Sequence, residues 1–148
     1  MSMVDTNILL YSVDESEPLK RERAIAVMDR LRRPNAGSLS TQILGEFFVN
    51  AQRKITPRLS ARQAEAFVEV YLEQWTVYPV TPAIVLQAVR DVQRLQLSYW
   101  DALIIATART NGVATVLSED LTDGRTYGGV RIVSPFSTGF DLAALDAI

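Results

Sequence analysis

The sequence contains no cysteine and no histidine among its 148 residues. Without cysteine, the chain cannot form disulfides, thiolate zinc sites or a cysteine nucleophile. Without histidine, it cannot use a Ser-His-Asp triad, a histidine-ligated metal or the usual general base near neutral pH. Any catalysis must therefore come from carboxylates, hydroxyls, lysines or a bound metal ion.

Long apolar runs and an excess of positive charge are also missing. No run of about 18 uninterrupted apolar residues is present, so we expect no transmembrane helix. An acid as early as Asp5 argues against a secretion signal, and we expect a cytoplasmic location. The 15 Lys+Arg and 17 Asp+Glu residues give a net charge of −2. Nucleic acid would therefore have to bind a local basic patch, or metal ions that offset local acids.

Hydrophobic residues make up 48% of the chain, which predicts one globular domain over residues 1–148. Strand-like and helix-like patterns alternate, with no repeat, linker or low-complexity tract. The predicted strands are 2–5, 38–41, 75–80, 113–117 and 130–133. One predicted helical turn begins just after Asp5. The other predicted helices cover 18–33, 43–51, 60–74, 82–95 and 99–111. This alternation predicts an α/β fold with a central parallel sheet between two helical layers.

Acidic residues follow two of the predicted strands. Asp5 ends the first strand, and Asp120 comes just after strand 113–117. Because the carboxyl ends of parallel strands meet at one edge of a sheet, both acids are expected at that edge. Taken singly, each has a simpler interpretation, Asp5 as a helix cap and Asp120 as a solvated loop acid.

Asp101 is predicted to lie in the first turn of a helix, on the same face as Ile104 and Ala108. An inward carboxylate is costly unless it is paired, hydrogen-bonded or bound to metal. The spacing of Ser98 and Asp101 also fits a capping box. Spacing alone leaves both interpretations open.

Glu46 lies about 130° from the middle of its helix's apolar stripe, so periodicity predicts that it is exposed. Several converging carboxylates without histidine cannot all stay ionised unless a cation is present. Mg²⁺ and Mn²⁺ prefer oxygen ligands and activate water for phosphodiester hydrolysis. An acidic cluster in this chain would therefore favour metal-dependent hydrolysis.

Four segments resemble the motifs of PIN-domain nucleases. They are residues 4–11 (VDTNILLY), Ser40-Thr41 followed by Glu46, residues 99–104 (YWDALI) and residues 117–121 (LSEDL). The third is particularly similar to the toxin branch usually called VapC. The order and spacing of the motifs hold from Asp5 to about Pro135, which is nearly the whole chain.

The resemblance implies a PIN-like fold and an endoribonuclease that acts as the toxin of a toxin–antitoxin pair. It implies a homodimer inhibited by a VapB-like antitoxin, with Mg²⁺ or Mn²⁺ as cofactor. The implied catalytic acids are Asp5, Glu46, Asp101 and Asp120, with Asp5, Asp101 and Asp120 as metal ligands. The implied supporting residues are Thr6, Asn7, Ser118 and Asp123.

Two features depart from the family pattern. The first strand is shorter than in many members, so we expect contacts with the dimer partner to help stabilise the domain. The chain is also mildly acidic, and RNA would need local positive charges. The candidates are Lys20, Arg21, Arg23, Arg53 and Lys54.

Three other functions compete with this one. A Mg²⁺-dependent phosphotransfer or phosphatase domain would also place an aspartate at a strand end. However, Asn7 stands where a phosphatase needs a second Asp, and no lysine follows Lys54. A non-catalytic PIN-like binding module would keep the fold without turnover. A DNA nuclease would use the same acids, so the preference for RNA rests on the resemblance.

Overall fold

A computed structural model describes residues 1–147 and contains a six-stranded sheet in the order β3-β2-β1-β4-β6-β5. The strands are β1 (Ser2–Val4), β2 (Gly37–Ser40), β3 (Thr76–Tyr78), β4 (Thr115–Leu117), β5 (Thr126–Tyr127) and β6 (Val130–Val133). The helices are α1 (Thr6–Tyr11), α2 (Pro18–Leu31), α3 (Thr41–Ala51), α4 (Ala61–Gln74), α5 (Pro82–Leu95) and α6 (Tyr99–Thr110), followed by a 3₁₀-helix (Leu142–Ala147).

The sheet is parallel except at one edge. Central β1 pairs with β2 and β4, and Val4 lies opposite Leu117. Strands β3 and β6 extend the parallel sheet on the two sides, whereas β5 pairs antiparallel with β6. The predicted parallel sheet is therefore confirmed for the five longer strands and corrected at β5, which the sequence pattern missed because it has only two residues.

Helices cover the sheet in a three-layer α/β/α arrangement, as the alternating pattern predicted. Polar side chains cap three of them: Ser60 caps α4, Thr81 caps α5, and Ser98 caps α6 as the sequence indicated. These side chains satisfy amide groups that the first turn leaves unpaired. Within residues 1–147, no helix is both long enough and apolar enough to cross a membrane.

The core surrounds β1, whose three residues are all buried. Helix α6 is buried around its whole circumference from Ala102 to Ala108, which corrects the single apolar stripe expected from the sequence. One side packs into the main core through Ile104 and Ile105, and Leu103 packs on α5. Because α6 is packed on both sides, the residues in its first turn are held in position.

Candidate acidic site

Asp5 and Ser118 lie side by side because each directly follows one of two paired strands. The Asp5 backbone N–H donates to the carbonyl oxygen of Leu117 at 2.9 Å, which continues the pairing of β1 with β4. Asp5 then caps α1, with Oδ1 accepting from the Thr6 N–H at 2.6 Å. The Ser118 hydroxyl donates to Asp5 Oδ2 at 2.6 Å. Asp5 is buried with only 4% of its surface exposed.

Asn7 links these two chain segments. Its side-chain nitrogen Nδ2 lies 3.2 Å from Asp5 Oδ2, 3.3 Å from Ser118 Oγ and 3.1 Å from Asp120 Oδ2. The two hydrogens of the amide are shared among these three acceptors. Asp120 is further held because its backbone N–H donates to Ser118 Oγ at 3.1 Å. Asn7 and Ser118 therefore orient both strand-end acids.

Glu46 is half-buried and held by two donors. The Thr6 hydroxyl donates to Oε2 at 2.9 Å, and the Gln42 amide donates to Oε1 at 2.8 Å. The exposed position predicted from helical periodicity was therefore wrong, because Thr6 on α1 faces this side of α3. Gln42 escaped the sequence analysis, although its i,i+4 spacing to Glu46 is a recognisable signal.

Asp101 is half-buried in the first turn of α6. Its backbone N–H donates to Ser98 Oγ at 3.2 Å, so the predicted cap is present. Burial raises the pKa of Asp101, a hydrogen bond to Ser98 lowers it, and the charges of Asp120 and Glu46 raise it further. Asp101 therefore takes part in the helix cap and also lies close to the other acids.

The four acids form one electrostatic site. Burial raises the pKa of Asp5 to about 6, aided by the charges of Asp120 and Glu46 and opposed by hydrogen bonds from Ser118 and Thr6. The same two acids raise the pKa of Asp101. In the part of the chain that the structure describes, none of the four forms an ion pair with a lysine or arginine.

This donor set suits a divalent cation of the hard, oxygen-binding type. It offers carboxylate oxygens whose charges no cationic side chain balances. Among residues 1–147, no three acidic side chains lie close enough together to hold one metal ion in this structure.

Two neighbouring acids have structural partners. Glu119 pairs with Lys20, which also donates to the Tyr11 hydroxyl at 3.1 Å. Burial opposes the ionisation of both partners, but their contact lowers the pKa of Glu119 and raises that of Lys20. Asp123 Oδ1 accepts from the Ser134 N–H at 2.8 Å. Lys20 is thus neutralised by Glu119, whereas the other candidate RNA contacts are exposed: Arg21, Arg23, Arg53 and Lys54.

The comparison with family models matches the PIN domain over residues 2–122. This match covers most of the chain and contains Asp5, Glu46, Asp101 and Asp120. The protein therefore belongs to the PIN-domain family. A comparison with curated proteins finds no match.

Solved structures of toxin–antitoxin systems share the fold. A toxin–antitoxin complex from Klebsiella pneumoniae is 20% identical, with a TM-score of 0.63 and coverage of 92% of this chain and 98% of that one. The VapC20 toxin of Mycobacterium tuberculosis, which cleaves the sarcin–ricin loop, is 20% identical, with a TM-score of 0.61 and coverage of 88% and 99%. VapBC-1 from nontypeable Haemophilus influenzae is 16% identical, with a TM-score of 0.64 and coverage of 92% and 98%.

Proposed function

We propose that this protein is a Mg²⁺- or Mn²⁺-dependent endoribonuclease and the toxin of a toxin–antitoxin pair. The observation that carries the proposal is the group of four coupled acids at one sheet edge. Membership of the PIN family and the shared fold with toxin–antitoxin structures support it.

In this proposal, Asp5, Asp101 and Asp120 hold the metal ion. Glu46 is a catalytic residue next to that ion. The bound ion would lower the pKa of a coordinated water and offset charge on the phosphodiester. Thr6 keeps Glu46 turned towards the site through its 2.9 Å hydrogen bond. Asn7 and Ser118 keep the two strand-end carboxylates at fixed orientations, which reduces the reorganisation needed when substrate binds.

The test is cleavage of mixed structured RNAs by purified protein with Mn²⁺, with Mg²⁺ and with EDTA. We expect discrete products that require metal and disappear in Asp101→Asn, which removes a ligand charge with little change of shape. Asp141→Asn is the matched control, because Asp141 is an exposed acid outside the site. DNA of the same sequence serves as the substrate control.

Folded wild-type protein that binds Mn²⁺ but cleaves no RNA would contradict the proposal and favour a non-catalytic binding module. Equal cleavage by wild-type protein and Asp101→Asn would instead point to a contaminating nuclease. Cleavage of DNA but not RNA would support the alternative function, a DNA nuclease.

We further propose inhibition by an antitoxin that places an arginine among the four acids. The unbalanced negative charge favours a guanidinium, which can form paired hydrogen bonds with carboxylates. An antitoxin whose arginines are replaced by glutamine should lose inhibition of cleavage. If the antitoxin still inhibits cleavage after this replacement, an arginine placed among the acids is excluded as the cause of inhibition.

A homodimer is also part of the proposal, since dimerisation would support an enzyme with a three-residue central strand. Sedimentation equilibrium of the purified toxin should give twice the 16.5 kDa mass of the chain. A single-chain mass at micromolar concentration would contradict it.

A further inference from the structure

The chain segment that carries Asp120 is held at each of its three residues. The Ser118 hydroxyl donates to Asp5 Oδ2 at 2.6 Å, and the Asp120 backbone N–H donates to Ser118 Oγ at 3.1 Å. Between these two residues, the Glu119 carboxylate pairs with Lys20. The acid Asp120 therefore directly follows a residue that is anchored to a different part of the molecule.

Lys20 is held by its surroundings, unlike an ordinary surface lysine. Its Nζ donates to the Tyr11 hydroxyl at 3.1 Å, and lies 4.6 Å from the centroid of the Tyr11 ring and 5.6 Å from that of Phe136. The two rings pack edge-to-face with centroids 5.1 Å apart. An ammonium group is attracted to nearby aromatic rings. These contacts give the ammonium group a defined place from which to bind Glu119.

The ion pair joins parts of the fold that are distant in the chain. Lys20 lies in the first turn of α2, whereas Glu119 follows β4, 99 residues later. The Lys20 side chain is 33% exposed and that of Glu119 is 28% exposed. Ion pairs with this much exposure contribute little to the free energy of unfolding. We therefore expect the main effect of the contact to be local, on the segment that contains Glu119.

We propose that Lys20 and Glu119 are positioning residues for Asp120. Their ion pair fixes the segment from Ser118 to Asp120, and so keeps the Asp120 carboxylate where Asn7 contacts it. The inference rests on the proposed function, in which Asp120 is a metal ligand. It assigns Lys20 to a carboxylate of its own chain instead of an RNA phosphate.

The charges of the two residues offer a competing explanation that predicts a different result. If charge alone mattered, removing the negative Glu119 would weaken binding of Mn²⁺, and removing the positive Lys20 would strengthen it. If the pair positions Asp120, both removals weaken binding, because either one leaves the segment without its anchor. Lys20→Met is therefore the decisive variant.

Binding of Mn²⁺ can be measured without catalysis from the electron paramagnetic resonance signal of the free ion. We expect Lys20→Met and Glu119→Gln each to raise Kd by about tenfold, as when other groups that support a metal ligand are removed. The double variant should bind no more weakly than either single variant, because all three lose the same contact. The Tm of the metal-free protein should change little.

Two matched controls remove a charge elsewhere. Arg90→Met removes an exposed cation from α5, and Glu73→Gln removes an exposed acid from α4. Both should keep the wild-type Kd for Mn²⁺.

The backbone at Asp120 gives a second readout that needs neither metal nor substrate. In EDTA, the NMR order parameter of the Asp120 amide should be about 0.85 in wild-type protein and below about 0.6 in Lys20→Met and Glu119→Gln. A combined Lys20→Glu and Glu119→Lys exchange rebuilds the pair with reversed charges. It should restore the high order parameter.

Stronger binding of Mn²⁺ by Lys20→Met would overturn the proposal in favour of charge alone. An unchanged Kd and order parameter, with a raised KM for RNA, would assign Lys20 to a phosphate and also overturn it. Both results leave the proposed function intact if the wild-type protein cleaves RNA. Weaker Mn²⁺ binding and a mobile Asp120 in the variants of a protein that cleaves no RNA would support the positioning role and contradict the function. Wild-type protein that binds no Mn²⁺ would overturn both.

Discussion

Among single residues, Asp5 has an unusual environment because its partners are neutral donors. Ser118, Asn7 and the Thr6 N–H contact the carboxylate, and burial raises its pKa to about 6. At neutral pH the metal-free protein therefore holds a buried, mostly ionised carboxylate. This arrangement costs folding stability that a bound cation would restore.

Replacing Ser118 by alanine should raise the pKa of Asp5 above its value of about 6. The Ser118 hydroxyl stabilises the ionised form through a 2.6 Å hydrogen bond, which the variant removes. Carboxyl-carbon NMR titration in EDTA measures the shift. Ser137→Ala is the control, because the Ser137 hydroxyl donates to the Ser134 carbonyl oxygen at 3.0 Å rather than to a carboxylate of the site. A lower Asp5 pKa in Ser118→Ala would contradict the account.

Asp5→Asn should stabilise the metal-free protein increasingly as pH rises. The pKa of Asp5 is raised from 3.8 to about 6 on folding, so the wild type loses stability between these values and the variant does not. The stability difference should grow by up to about 3 kcal/mol between pH 4 and pH 7. Urea unfolding in EDTA across this range measures it. A difference that does not vary with pH would refute the raised pKa.

At the level of secondary-structure elements, Asp91 joins α5 and α6 at the sheet edge opposite the acids. It is fully buried and pairs with Arg94 and Arg109. Burial alone would raise the pKa of Asp91, but the hydrogen bond and charge of Arg109, with help from Gln87 and Arg94, lower it. Gly128, at φ +56°, allows the Arg109 guanidinium to pack closely over its α-carbon.

Asp91→Ala should destabilise the fold by about 3 kcal/mol, because it leaves Arg109 without its buried partner. The cleavage rate per folded molecule should be unchanged, since Asp91 lies at the far end of α6 from Asp101. Urea unfolding and cleavage assays at a temperature where the variant is folded test both parts. Arg90→Ala, at an exposed position on the same helix, is the control. Loss of activity without loss of stability would contradict this separation of roles.

The elements themselves were largely predictable from the sequence. Polar caps such as Ser60, Thr81 and Ser98 sit before regular apolar periods, so the helix starts were marked locally. Strand order was not encoded in this way, because it depends on which chain segments cross over the sheet. Burial of α6 on both sides was missed because alanines at 102 and 106 look like neutral spacers until α5 packs on them.

Across the whole molecule, the acids lie at one edge of the sheet, and metal binding should stabilise the whole domain. If Mn²⁺ binds only the folded site, as we propose, saturating Mn²⁺ should raise the Tm by about 5 °C or more. Asp101→Asn should lose most of this increase, and Asp141→Asn should keep it. Differential scanning fluorimetry in EDTA and in Mn²⁺ measures the shift. An equal shift in wild type and Asp101→Asn would exclude this site.

The site was predictable only in part from sequence. Asp5 and Asp120 were expected together because parallel strands end at one edge. Glu46 and Gln42 were not, since their proximity depends on how α3 packs on α1, which periodicity does not encode. Only the resemblance to PIN domains identified Glu46 before its hydrogen bond to Thr6 was known.

The most direct test of the central claim is the single-turnover cleavage rate of one RNA as a function of Mn²⁺ concentration. If Asp5, Asp101 and Asp120 bind the metal, asparagine at each position should raise the concentration for half-maximal rate by about tenfold or more. Glu46→Gln should lower the maximal rate and leave that concentration nearly unchanged. A set of variants whose half-maximal Mn²⁺ concentration matches the wild type would contradict the account.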